Sequence, residues 1–92
     1  MQSRALRPSP AVRASISDDG LVLLDLEGGL VLSSNVVGGR IWALIEQQRT
    51  PAEIAQQLVL DYAIPEERAV HDVTAFIDAL RGRGLVRDRA IV

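Results

Sequence analysis

The chain has 92 residues, enough for one domain and no second core. An apolar share of 48% against a charged share of 24% is a globular composition, not a disordered one. A formal net charge of -2 argues against the basic excess of a non-specific nucleic-acid binder, and the lack of cysteine excludes disulfides and thiolate metal sites.

Residues 1–10 (MQSRALRPSP) carry Arg4 and Arg7 but no apolar run that could serve as a signal core. No stretch approaches the roughly 18 apolar residues of a membrane span. A cytoplasmic location is therefore the expectation. Pro8 and Pro10 predict an extended, mobile segment over residues 1–10. Residues 11–17 alternate, with Val12, Ala14 and Ile16 on one side and Arg13, Ser15 and Ser17 on the other, the pattern of a half-buried strand. Asp18-Asp19-Gly20 supplies hairpin chemistry, since Asp and Gly tolerate the positive φ of tight turns. Residues 21–26 (LVLLDL) are apolar on both faces, as a central strand would be. Glu27-Gly28-Gly29 predicts a second turn and residues 30–34 (LVLSS) a third strand, which completes an antiparallel meander.

The period then changes. After Asn35, a candidate N-cap, apolar residues fall at Val37, Ile41, Leu44 and Ile45, which is helical spacing. Gly38-Gly39 costs that helix about 1 kcal/mol per glycine relative to alanine; close packing against the sheet is the favoured explanation, a hinge the alternative. Thr50-Pro51-Ala52-Glu53 is a capping box with proline at the first helical position. The helix it opens places Ile54, Leu58 and Tyr62 on one face. Pro65-Glu66-Glu67 begins a third helix with acidic residues at the positive end of its dipole. Its core stripe is Val70, Val73, Ile77 and Leu80. Arg81 and Arg83 fall at its end, Gly82 and Gly84 offer C-cap conformations, and Leu85-Val86 folds back onto the core. Trp42, Tyr62 and Phe76 are the only aromatic residues, so the core is aliphatic.

The chemistry of an enzyme is missing. His71 is the single histidine, too few for a histidine-based metal site. His71-Asp72 looks like the dipeptide of metal phosphohydrolases, which need further histidines, and helical geometry turns His71 about 100° from Val70 toward the polar face. The acidic pairs Asp18/Asp19 and Glu66/Glu67 are explained by a turn and a helix start. No G-x-S-x-G elbow occurs, and Gly28-Gly29 and Gly38-Gly39 lack phosphate-loop spacing and its lysine. The expectation is a protein without catalytic residues, metal or cofactor.

The meander instead offers an edge. Its third strand has no lysine, no proline and no inward charge, the devices that blunt an exposed edge, and so invites strand addition by another chain. On the third helix, Ala69, Asp72, Phe76, Ala79 and Arg83 form a second row beside the core stripe. Periodicity alone favours Phe76 as core and the rest as rim over a groove at this row.

Asp19-Gly20, the LVLLDL strand, Ser34-Asn35 and Arg40-Ile41-Trp42 begin a longer pattern. Thr50 to Ile54, Asp72-Val73, Phe76-Ile77, Leu80 and Gly84-Leu85-Val86 complete it. Together they resemble the PqqD-like family, that of the pyrroloquinoline-quinone synthesis protein D, over roughly residues 8–87. The resemblance implies an α+β, winged helix-turn-helix-like fold: a three-stranded antiparallel meander followed by three helices, here a domain over residues 11–87 with a tail at 88–92. It also implies a function. Such RiPP recognition elements bind the leader of a ribosomally made precursor peptide as an added strand between the third strand and the third helix. They present it to a modifying enzyme such as a radical SAM enzyme, a leader peptidase or a cyclase. By position, the peptide backbone runs along Leu30, Val31, Leu32 and Ser33, and the helical wall is Asp72, Ala75, Phe76, Ala79 and Arg83. Many members carry an aromatic residue in the third strand where this chain has none, which implies a different peptide preference; among the pathways that use such domains, lasso or other modified peptides are favoured over quinone synthesis. The expected assembly is a monomer or weak homodimer. A DNA-binding winged helix needs a basic recognition helix, whereas residues 65–83 are slightly acidic; an adaptor that docks on an enzyme without touching peptide is the remaining alternative.

Overall fold

The computed structural model describes residues 5–88. Its order is β1 (Leu6–Pro8), β2 (Val12–Ser17), β3 (Gly20–Asp25), β4 (Val31–Ser34), α1 (Val36–Glu46), α2 (Pro51–Tyr62), α3 (Glu66–Gly82) and β5 (Val86–Asp88). Strands β2, β3 and β4 form an antiparallel sheet in that order, so the fold is α+β with the expected meander and three helices.

The ends of the domain differ from the sequence reading. The segment through Pro10, expected to be mobile, contributes β1, which pairs antiparallel with β5 from Leu6↔Asp88 to Pro8↔Val86. Leu6 is fully buried and anchors this ribbon. Two prolines make the segment extended; the buried leucine two residues before the first of them ties it down. The expected tail at 88–92 lies outside the described residues except for Asp88, which closes β5.

Local chemistry sets the helix limits. The Asn35 side chain accepts from the Gly38 N–H at 2.9 Å and starts α1. The Glu53 N–H donates to Thr50 Oγ1 at 3.2 Å and the Thr50 N–H donates to Glu53 Oε1 at 2.9 Å, a reciprocal capping box. The second of these bonds holds the Glu53 carboxyl below its usual range. Asp61 is likewise held low, first by the Gln57 side chain and then by Arg40, whose Nε lies 2.8 Å from it and ties α1 to α2. At the end of α3, the Leu85 N–H donates to the Leu80 carbonyl and the Gly84 N–H to that of Arg81. Gly84 has φ +70, so this is a Schellman close that needs glycine's freedom.

One core joins all layers: Leu21 and Leu23 of β3, Ile41, Trp42, Leu44 and Ile45 of α1, Ile54 and Leu58 of α2, Val73, Ile77 and Leu80 of α3, and Leu6 and Leu85 from the ends. Each such side chain contributes about 1.5–3 kcal/mol on burial. Helix α1 lies against β3 and β1, and α2 packs on α3. The helices cover only one face of the sheet. Strand β3, expected to be buried on both faces, therefore leaves Val22 and Leu24 in solvent. At β2 the cover runs out as well, so of its inward set only Val12 is partly buried, while Ala14 and Ile16 are exposed. Ala69, read as part of the second row on the third helix, is fully buried core, whereas Tyr62 is exposed. His71 is exposed, as its helical phase predicts. No helix among the described residues is long and apolar enough to cross a membrane.

Candidate functional site

The sheet has two edges, and the chain treats them differently. In β3–β4 the register runs Leu21↔Ser34, Val22↔Ser33, Leu23↔Leu32 and Leu24↔Val31. The Asp25 N–H donates to the Leu30 carbonyl. Antiparallel ladders alternate hydrogen-bonded and non-hydrogen-bonded pairs. Leu32 and Ser34 therefore bond inward to β3, and the N–H and C=O of Val31 and Ser33 point out of the sheet. Among the described residues nothing pairs with them.

The same parity on β2 sends the main chain of Val12, Ala14 and Ile16 outward, because the Leu26 N–H donates to Ala11. There the first position is already satisfied. The Val12 N–H donates to Ser9, and Arg13 Nη1 donates to both the Val12 and Pro10 carbonyls at 3.1 Å. A charged side chain folded over an edge carbonyl blocks strand addition; β4 carries no such guard.

Beside the C-terminal end of β4 lies a groove of about 470 Å³, lined by Ser34 and Asn35, by Val37, Gly38 and Ile41 of α1, and by Arg68, Asp72, Ala75, Phe76 and Ala79 of α3. Its floor depends on Gly38. A Cβ there would collide with the Ser34 side chain and stand 3.1 Å from Phe76 Cε1, so glycine is what lets strand, α1 and α3 meet. Phe76 is half-buried and packs on the core with one part of its ring while facing the groove with another. Core and groove wall, posed as alternatives by periodicity, are both true of this ring. The Arg68 guanidinium lies 3.7 Å from Asp72, an exposed i,i+4 pair at the rim.

The helical-wall residues Asp72, Ala75, Phe76 and Ala79 thus come together in one groove, whereas Arg83 lies at the C-cap of α3 and outside it. Leu30 precedes β4 and is exposed, Val31 and Ser33 are exposed, and Leu32 is partly buried against the core. These four form the edge, not the lining of the groove. Sequence reasoning missed Ser34, Asn35, Val37, Gly38, Ile41 and Arg68 as groove residues. Arg68 was legible as the residue four before Asp72 in the row 68, 72, 75, 79; the α1 contribution was legible only as the unexplained glycine pair. Among the described residues, no group of three or more His, Asp or Glu is placed to hold a metal ion.

The model of the family described as coenzyme PQQ synthesis protein D matches residues 20–86. Among solved structures, the chain is similar to TbiB1 in complex with the TbiA(beta) leader peptide, at 32% identity and a TM-score of 0.82, covering 92% of this chain and 99% of that one. It is also similar to a lasso peptide synthetase B1 complexed with the leader peptide, at 26% identity and a TM-score of 0.80, covering 90% and 98%. No curated protein matches the sequence significantly.

Proposed function

This chain belongs to the coenzyme PQQ synthesis protein D family, and from that premise we propose that it is a non-catalytic recognition element for the leader of a ribosomally made precursor peptide. It captures the leader as a fourth strand on β4, with alternate side chains in the groove against α3, and delivers it to a modifying enzyme, leader peptidase or cyclase. The observation that carries the reading is the juxtaposition of an unguarded edge at Val31 and Ser33 with an apolar groove at its end. Main-chain pairing accepts any extended peptide; the groove selects among them. The likeness to two leader-bound structures supports the same reading, and the lasso peptide context of one favours peptide maturation over quinone synthesis. On this reading the peptide meets Leu30, Val31, Leu32 and Ser33 on one side and Asp72, Ala75, Phe76 and Ala79 on the other, with Arg83 reached only by a peptide that runs past the groove.

The test is a fluorescence-anisotropy titration of the labelled leader from the nearest encoded precursor. Micromolar or tighter binding, competed by unlabelled leader, is the expected outcome. Absence of binding with and without the co-encoded enzyme sinks the proposal, and binding of the enzyme alone turns the chain into a structural adaptor.

A further inference from the structure

On the sheet face turned away from the helices, Val22, Leu24 and Val31 are 47%, 39% and 56% exposed. Leu24 stands directly opposite Val31 in a non-hydrogen-bonded pair, the kind in which side chains approach most closely. On the other flank of Leu24 is Arg13, whose guanidinium is turned back onto the Pro10 and Val12 carbonyls. The row Leu24–Val31 is therefore apolar and ends at the open edge. Leu24 has cross-strand neighbours on both sides; Val31 has one.

We infer that the Val31 side chain, backed by Leu24, is a specificity determinant for the captured peptide, reading the residue that lies opposite it on the outer face of the sheet. The inference rests on strand addition at β4. A strand bonded to the outward N–H and C=O of Val31 places one residue directly across from it, and that residue shares the face of Val31. Its neighbours along the peptide point the other way, to the helix side of the sheet. The recognised segment is thus apolar on both faces: a β-branched or aromatic residue against Val31, and apolar residues on the helix side of the sheet, of which those near Ser34 enter the groove. A peptide with strict alternation, polar outside and apolar inside, leaves the Leu24–Val31 row open to water and binds less well. Ser33, the other outward residue, lies opposite Val22 and makes no comparable demand.

The experiment is a set of parallel selections of displayed random dodecapeptides on the full chain, as wild type, Val31→Glu and Val31→Lys, with folding of each checked by circular dichroism. Val31 is exposed on an edge, so its replacement spares the core. Wild type enriches a motif with an apolar residue at one fixed position; Val31→Glu replaces that residue by Lys or Arg and Val31→Lys by Asp or Glu, with the rest of the motif kept. One motif common to all three proteins overturns the inference and leaves leader capture intact. No motif on any of them overturns both. The near-isosteric Val31→Thr covers loss of binding in the charged variants: it weakens the wild-type peptide about two- to fivefold, and unchanged affinity counts against a side-chain role. Sedimentation velocity tests the rival occupant of this row, a second copy of the chain. A dimer dispersed by Val31→Glu without any change of motif overturns the inference in favour of self-association.

Discussion

Proline placed at Ser33 separates strand addition from every other way of binding at this site. The Ser33 N–H points out of the sheet, so its loss removes nothing from the β3–β4 ladder, and proline is tolerated on an edge with its nitrogen facing solvent. Folding stability is expected to change by less than about 1 kcal/mol. The peptide suffers more. It loses one main-chain bond with a net value of about 1 kcal/mol, and a carbonyl is left without a donor at a cost of about 1–3 kcal/mol. The sum, about 2–4 kcal/mol, weakens binding roughly 30- to 1000-fold. Leu32→Pro is the contrasting variant. Its N–H bonds to Leu23 within a strand of four residues, so that substitution attacks the fold itself, by about 2–4 kcal/mol. Leader titration by anisotropy and thermal unfolding by circular dichroism read the two effects separately. Wild-type affinity in Ser33→Pro refutes main-chain capture on β4. Unfolding of Ser33→Pro refutes the parity deduced from the Asp25–Leu30 bond.

The two adjacent glycines of α1 are expected to part company. Gly38→Ala drives a methyl into Ser34 and Phe76 and destabilises the domain by about 1–3 kcal/mol, whereas Gly39→Ala meets its neighbours no closer than 3.5 Å and stabilises it by up to about 1 kcal/mol; chemical denaturation measures both. Ala75→Leu fills the groove from an exposed position, so leader affinity falls at least tenfold by titration while unfolding stays within about 0.5 kcal/mol of wild type. Thr50→Ala removes the cap of α2 at about 1 kcal/mol, read as a lowered thermal midpoint. Glu53 gives the pH dependence. Its carboxyl is held below its ordinary 4.5, chiefly by the Thr50 N–H, so its contribution is present above that value and disappears as pH falls through the lowered range. Wild type is expected to lose more thermal stability below about pH 4.5 than Glu53→Gln, which keeps an accepting oxygen without a titrating group; equal losses count against the capping box as the cause.

Much of the fold was legible because the local signals were redundant. The capping box at Thr50 and the cap at Asn35 each fix a boundary by hydrogen bonds that their own side chains make, the turn at Asp18-Asp19 is held by the Asp19 N–H donating to Ser17 Oγ, and each formed where the residues call for it. What failed to show was whatever depends on a partner far along the chain. Leu6 reads as a lone apolar residue in a proline-rich segment until Val86 and Asp88 come to pair beside it. The two apolar faces of residues 21–26 read as double burial, and nothing local reveals that the helices cover only one of them. The site divides in the same way. On α3, spacings of three and four pick out Asp72, Phe76 and Ala79 as one row, but spacing alone favours a rim there, and Ala75 enters only through the family resemblance. The α1 wall is encoded by an absent side chain, and Gly38 acquires meaning only once Ser34 and Phe76 are seen on either side of it.

The shortness of β4 decides how the binding energy must be divided. Two outward residues make at most four main-chain bonds with a peptide, about 4 kcal/mol at about 1 kcal/mol each. Immobilising a flexible peptide costs about 4–15 kcal/mol. Pairing at the edge thus offsets at best the lower end of the ordering cost, and a peptide held by main chain alone does not accumulate on the domain. Micromolar affinity, about 8 kcal/mol, has to come from apolar side chains at about 1.5–3 kcal/mol each when fully buried, which means several of them. On the proposed binding mode the groove between Val37, Ile41, Phe76 and the alanines of α3 takes some of them, and the exposed Leu24–Val31 row, with Leu30 beside it, offers further apolar surface within reach of the same strand. On that binding mode the edge sets the peptide as extended, while selection among extended peptides falls to side chains on both faces of the sheet. By the same reckoning the unguarded edge alone is not expected to retain the other strands it meets, because pairing without anchors is too weak to persist.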